Sequence, residues 1–311
     1  MKRKLADACS PLTLLLNGKI MTHHNPITLR RPAHLVAGIV LTSPHSGRYY
    51  PREFLESSRL NENSIRSSED AFVDELFGMA PELGLPLLAA EFPRAWCDVN
   101  REAWELDPGM FADKLPPYVN STSPRVAAGL GTVAKVVGVG QPIYSRKLYF
   151  HEAEQRITQC WQPFHAALMG LIAECRSQFG YCLVLDCHSM PTPISRPEQQ
   201  PDIILGDNNG ISCSPSLSND ALSHLSALGF SVGHNKPYAG GFITRHYGKP
   251  AQSVQALQIE IARRLYMNEK QLTRTKNFDL LRGNLRQFIQ YLILKIQNET
   301  ISATAYETAA E

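Results

Sequence analysis

Leu183 to Ser189 reads LVLDCHS: an apolar run that ends in an acid, a thiol and an imidazole. Extended upstream as YCLVLDC, the run suits a strand buried on both faces, as parallel sheets require. Gly38 to Gly47, GIVLTSPHSG, repeats the arrangement and delivers a second histidine, His45, just past its apolar run. Ligands of open α/β sheets bind outside the carboxyl ends of the strands, so His45 and His188 fall in the same topological place. One such histidine is commonly an ordinary hydrogen-bonded loop residue; two at equivalent strand ends point to a shared site.

Working outward, Glu69 to Leu83 places Phe72, Val73, Leu76, Phe77, Met79 and Ala80 at helical spacing and predicts an amphipathic helix. PLLAAEF (Pro86–Phe92) predicts a short strand, and residues 105–142, richer in Pro and Gly, predict a long loop layer. Tyr149 to Phe179 reads as helix. DIILGD and FSVGHN read as strands, with a helix over Ala221–Leu228 between them. SVQALQIEIARRLYM reads as a strand running into a helix or replaced by one, and Phe278–Leu294 as an amphipathic helix. Strands alternating with helices predict an α/β fold with a mainly parallel sheet covered on both faces. No repeat or sharp shift in composition divides the chain. The expectation is one domain over residues 26–297, with a flexible leader at 1–25 and a flexible tail at 298–311.

Composition narrows the function classes. Of 311 residues, 43% are hydrophobic and 19% charged, as in soluble globular proteins, and a net charge of +2 with no dense Lys/Arg run gives no pull toward nucleic acid. Seven scattered cysteines form no CxxC pair, which argues against a disulfide framework or zinc finger and for a reducing cytoplasm. The N-terminal patch LTLLL is too short for a signal peptide, and no apolar run approaches the roughly 20 residues of a membrane span.

Several residues carry chemistry. A catalytic zinc site takes about three ligands from His, Asp and Glu; Asp70 and Asp74, one turn apart on the predicted helix, offer carboxylates beside the two histidines, although acids at a helix start commonly serve its dipole. Asp186 shares a strand face with His188 and is placed to orient it, while Cys187 points the other way as a small buried hydrophobe. PRAWCDVNRE (Pro93–Glu102) brings Arg94, Asn100 and Arg101 near a strand end, where guanidinium can pair with a substrate carboxylate; the plain alternative is Arg94–Asp98 or Arg101–Glu102 pairing at the surface. KPYAGGFITRHYGKP (Lys236–Pro250) is a Gly-Gly loop carrying Tyr238 and Arg245, either a close approach to ligand or an ordinary turn. Glu260, inside the apolar QALQIEI, is a buried carboxylate that is either paired with Arg263 or Arg264, or raised in pKa and fit to act as a base.

Taken in order, SPHSGRYYP, EDAFVDELF, PRAWCDVNRE, LVLDCHSMP, PYAGGFITRHYG and QALQIEIARRLYM resemble the N-formylglutamate amidohydrolase family from about His34 to Met267. The resemblance implies a zinc carboxypeptidase-like architecture, a mixed sheet between helices with a zinc ion (Zn2+) at the strand ends. It implies His45, Asp70 and His188 as metal ligands, with Asp74 as the alternative acid, because Arg48 stands where carboxypeptidases place theirs. Glu260 matches the general base. Asn100 and Arg101 resemble the pair that holds a terminal carboxylate, with Arg94 and Arg245 adding to that pocket and Tyr238 closing over it. The implied substrate is a small N-acyl amino acid, N-formylglutamate first, cleaved to formate and glutamate. The competing expectations are a carboxypeptidase-like peptidase and a non-catalytic binding protein of the same fold.

Overall fold

The computed structural model describes residues 25–138 and 140–298 with their side chains, and the backbone alone at 13–16, 19–22 and 299–310. The rest of the segment expected as a leader lies outside the described residues. Seven strands form the central sheet: β1 (Ile27–Arg30), β2 (Ile39–Ser43), β3 (Leu87–Ala90), β4 (Cys182–Met190), β5 (Ile203–Gly206), β6 (Val232–His234) and β7 (Val254–Ala262). Their order is β6-β5-β7-β4-β2-β3-β1. The four central strands β7, β4, β2 and β3 are mutually parallel, β1 runs antiparallel to β3, and β5, which β6 follows in parallel, runs antiparallel to β7. The sheet is mixed and mostly parallel, as expected.

Alternation along the central strands explains both the fold and the polar strand ends. Successive side chains of a strand point to opposite faces. Leu183, Leu185 and Cys187 of β4, with Leu257, Ile259 and Ile261 of β7, enter one core. On the opposite face Cys182 and Val184 of β4 and Val254 and Ala256 of β7 enter a second core. That second face then turns polar: Asp186 and His188 continue it on β4, Gln258 and Glu260 on β7. The parallel register sets Gln258 beside Asp186, Glu260 beside His188 and Thr42 of β2 beside Asp186. One face of three neighbouring strands thus becomes polar at the same level.

Helices cover both faces. The first core is closed by α1 (Val73–Leu76), α3 (Pro215–Ala227) and α5 (Phe278–Ala310), through residues such as Leu76, Leu217, Leu285 and Phe288. The second is closed by α2 (Gln162–Phe179), with Phe164, Leu168 and Leu171, and by Ile243 of α4 (Phe242–Tyr247). Each such side chain contributes about 1.5–3 kcal/mol on burial. The layer over residues 105–142 has an apolar core of its own, including Phe54, Leu106, Phe111 and Val133, and contains a 3-10 turn at Pro108–Met110 and an α-helical turn at Pro124–Ala127. Among the described residues no helix is long and apolar enough to cross a membrane.

Three expectations need correction. The helix expected over Glu69–Leu83 is a single turn, Val73–Leu76, followed by a 3-10 turn at Ala80–Leu83. Phe72 sits at φ 66°, a left-handed conformation that stops a helix from starting at Glu69; Asp70 and Asp74 therefore share no helix face. The Gly-Gly segment is no hairpin, for it runs into α4 at Phe242. The strand expected at QALQIEI is present, and only a short 3-10 turn at Arg263–Leu265 follows it.

Candidate active site

The two strand-end histidines meet Asp70 at the floor of a cavity of about 330 Å³. His188 Nδ1 lies 3.0 Å and His45 Nδ1 3.3 Å from the same oxygen, Asp70 Oδ2, and all three residues are buried. The outer ring nitrogens are braced by carboxylates: His45 Nε2 lies 2.8 Å from Asp98 Oδ1, and His188 Nε2 lies 2.9 Å from Asp186 Oδ2. Thr42 Oγ1 donates to Asp186 Oδ1 at 2.7 Å and completes that side. Asp70 reaches this point because its backbone N–H donates to the His45 carbonyl at 2.9 Å. Its second oxygen, Oδ1, is taken by Arg263 Nη2 and Ser189 Oγ, each at 3.2 Å.

Whether this trio suits a metal follows from its donors. A carboxylate only accepts, so each Nε2 can donate to Asp98 or Asp186, and each Nδ1, which faces the carboxylate of Asp70, would give up any proton to take a metal. Ligating imidazoles are braced in this way, with the far N–H on a carboxylate. His45 Nδ1 is buried without a hydrogen bond despite its 3.3 Å approach to Asp70. Ligands about 2.0–2.1 Å from a tetrahedral ion lie roughly 3.3 Å apart, close to the separations seen here. Electrostatics agree. Burial opposes the charge on His188, but Asp186 and Asp70 raise its pKa well above the ordinary value. Burial likewise opposes ionisation of Asp70, and His188 and His45 pull its pKa well below the usual range. His45, Asp70 and His188 can hold a metal ion, whose charge would take the place of that on the imidazolium.

Beside the trio stands Glu260, 7% exposed. Gln258 Nε2 donates to its Oε1 at 2.9 Å, and the Gly241 N–H donates to Gln258 Oε1 at 2.7 Å. Burial raises the Glu260 carboxyl from 4.5 to about 7, with His188 and Arg94 pulling it back and Asp70 adding to the rise. Among the described residues no Glu260–Arg pair forms: Arg263 goes to Asp70, and Arg264 to Asp202 at 3.0 Å.

The loop Pro93–Glu102 supplies the adjoining wall. Arg94 Nη2 donates to Asp98 Oδ2 at 2.8 Å, so the pairing foreseen at the surface sits inside the site. Arg101 is tied to the Leu130 carbonyl by Nε and to the Asn100 carbonyl by Nη1. The Asn100 carboxamide is engaged within the protein, Oδ1 accepting from Ile243 N at 2.8 Å and Nδ2 donating to Asp186 Oδ2 at 3.3 Å. A Cβ at Gly241 would overlap that carboxamide, so only glycine lets α4 approach Asn100. Beneath the wall, the buried Arg156 guanidinium lies 3.6 Å from the centre of the Trp96 ring and donates to Tyr144 Oη at 2.6 Å; the aromatic faces help to offset the burial of its charge.

The cavity thus gathers His45, His188, Glu260, Arg94, Asn100, Arg101 and Tyr238, the last at the rim and 36% exposed. Asp74 lies apart, bound by Arg48 at 3.2 Å and Arg30 at 3.6 Å. Arg245 is also outside, exposed on α4 beside Glu102, Glu105 and His246. Sequence reading gave no site role to Asp98 or Arg263. Asp98 alternates with buried Cys97 and Val99, a signal of inward polarity that is local and says nothing of its partner, 53 residues away.

A buried carboxyl beside a buried trio of metal-ligand type, on the carboxyl edge of an α/β sheet, is an arrangement suited to hydrolysis. The model of the N-formylglutamate amidohydrolase family matches residues 37–267, and the chain belongs to that family. It is 31% identical over 239 residues to the N-formylglutamate deformylase of Pseudomonas aeruginosa, covering 75% of this chain and 83% of that one. The enzyme of the same name from Pseudomonas putida is 30% identical over 236 residues, 74% of this chain and 82% of its own. The crystal structure of N-formylglutamate amidohydrolase from Ralstonia eutropha JMP134 superposes with a TM-score of 0.83 at 32% identity, over 89% of this chain and 100% of that one. A gene product of Agrobacterium tumefaciens shares the fold at 18% identity, with a TM-score of 0.66 over 88% of this chain and 97% of that one.

Proposed function

We propose that this protein hydrolyses the formyl amide of N-formylglutamate, releasing formate and glutamate, with a zinc ion held by His45, Asp70 and His188. The observation that carries the reading is the convergence of both Nδ1 atoms on Asp70 Oδ2, with each Nε2 braced by its own carboxylate. When bound, zinc supplies Lewis acidity and makes water acidic near neutral pH. Glu260 takes one proton of the attacking water and delivers it to the amide nitrogen, so that the C–N bond breaks to formic acid and a neutral amine, and the acid's remaining proton passes to the amine to leave formate and the ammonium form of glutamate. Its Oε1 is held by Gln258, and no hydrogen bond among the described residues engages Oε2. Arg94, with one nitrogen on Asp98, turns its remaining N–H groups to a substrate carboxylate. Asn100 and Arg101 brace the wall rather than grip the substrate, and Tyr238 covers the rim. A cavity of about 330 Å³ suits a small acylated amino acid better than a polypeptide.

The test couples metal content to formate release. About one zinc per chain, with formate and glutamate appearing in equal amounts and both zinc and turnover lost in His188→Ala, is the expected result. Full turnover by metal-free protein would overturn the zinc assignment. Hydrolysis of peptides but not of N-formylglutamate by the zinc-loaded enzyme would overturn the substrate.

A further inference from the structure

An acylated glutamate carries two carboxylates, and the reading above gives Arg94 to one of them. Four arginines line the cavity among the described residues: Arg94, Arg101, Arg125 and Arg263. Arg263 is committed to Asp70 and the Ser67 carbonyl. Arg101 is held by two backbone carbonyls and stands 3.7 Å from Asp98. Arg125 is exposed and has neither an ion pair nor a hydrogen bond from its guanidinium among the described residues.

The placement of Arg125 is nonetheless defined. It occupies the helical turn Pro124–Ala127, whose N-cap Ser123 accepts from Val126 N, with Val126 buried beneath. Leu130 joins it to the wall: its N–H donates to the Arg125 carbonyl at 2.8 Å, and its own carbonyl receives Arg101 Nε at 2.8 Å. Burial lowers the pKa of Arg101, and the positive charges of Arg94 and Arg125 add to that effect. Arg94, Arg101 and Arg125 thus line the same cavity, where Asp98 pairs with Arg94 and stands 3.7 Å from Arg101 while no described residue pairs with the Arg125 guanidinium, which is left open to an anionic group.

We infer that Arg125 is a specificity-determining residue that receives the second carboxylate of the substrate, selecting acylated amino acids with acidic side chains over neutral ones of the same shape. This rests on the hydrolase reading above and adds the residue that reads the side chain. Arginine suits the task, since its fork matches a carboxylate with two parallel hydrogen bonds and cannot do so with a carboxamide.

The experiment compares N-formyl-L-glutamate with N-formyl-L-glutamine, on wild type, Arg125→Ala and Arg125→Lys. Wild type is expected to prefer the glutamate compound. Arg125→Ala should cut that preference by about 10–100-fold, as loss of a charge-assisted hydrogen bond does, mainly through a higher KM. Arg125→Lys should recover part of it. A preference unchanged in Arg125→Ala, or an equal loss on both compounds, overturns the assignment while leaving the deformylase reading intact. Calorimetry with L-glutamate and L-glutamine reads the same contrast without turnover, so failure of the parent activity and failure of Arg125 are told apart. Equal affinity of wild type for the two amino acids also overturns it.

Discussion

At the floor of the cavity His45, Asp70, Asp98, Asp186 and His188 are all buried, and each of the three acids holds at least two partners. At the rim Arg125 is exposed, its guanidinium unpaired among the described residues, and Tyr238 is 36% exposed on a loop. The floor is organised like a metal centre, where misplacing one group leaves buried charges uncompensated at a cost of several kcal/mol. The rim is organised like a reader of ligands, with charge kept in water until something arrives. The difference separates two jobs, the reaction below and its selectivity above.

The comparison breaks hardest at the floor. His188→Ala should lose bound zinc and reduce kcat/KM by at least about 10³-fold, the several kcal/mol a Lewis acid supplies; metal analysis beside an assay of formate release checks both. Glu260→Gln should keep its zinc yet lower kcat by about 10²–10⁴-fold. In the wild type kcat/KM should climb with pH and level off above about 7, where Glu260 is ionised. Folding raises the Glu260 pKa from 4.5 to about 7, so its stabilising effect is full at low pH, falls across that interval and is gone above it. Metal-free Glu260→Gln should therefore melt higher than metal-free wild type, with a gap that opens between pH 4.5 and 7 and stays open above. A gap independent of pH would mean that the carboxyl is not raised.

Asp98→Asn sharpens the floor from one step further out. Asp98 touches His45 and Arg94 only from behind, so zinc affinity should fall about 10–100-fold, with activity restored by added zinc. Unchanged affinity would reduce Asp98 to a packing group. The smallest effect belongs to Arg245→Ala. Its guanidinium lies outside the cavity, and kcat/KM for N-formylglutamate should move by less than about twofold, as exposed substitutions away from a site do. A loss as large as that expected for Arg125→Ala would erase the distinction between the rim and the outer surface.

How much of this was legible in the chain can be judged residue by residue. LVLDCHS declares a strand, and the structure places it as read, whereas QALQIEI left strand and helix open and the structure makes it a strand whose alternate positions turn polar on one face. Asp186 as the brace of His188 follows from the same period of two. The segment from Glu69 misleads because its apolar spacing is genuinely helical, yet Phe72 takes a left-handed conformation for which nothing in its side chain gives warning. That single kink separates Asp70 from Asp74 and turns Asp70 toward histidines 25 and 118 positions away. Arg245 and Arg125 look alike in sequence, each an arginine near glycines, and only the packing of α4 and of the Pro124–Ala127 turn sends one outside the cavity and keeps the other on its lining.

The sequence by itself determined the two strands that deliver the histidines, the location of both histidines at strand ends, the inward carboxylate Glu260 and the order of motifs that marks the family. These are local or ordered features, set by alternation and by residue type. Only the tertiary structure decided that Asp70 and not Asp74 joins the histidines, that Asp98 braces His45, that Asn100 is engaged within the wall, and that Arg125 and not Arg245 lies on the cavity lining. Each of those outcomes depends on contacts between segments far apart in the chain, and such contacts are chosen by how whole faces pack rather than by any spacing that neighbouring residues carry.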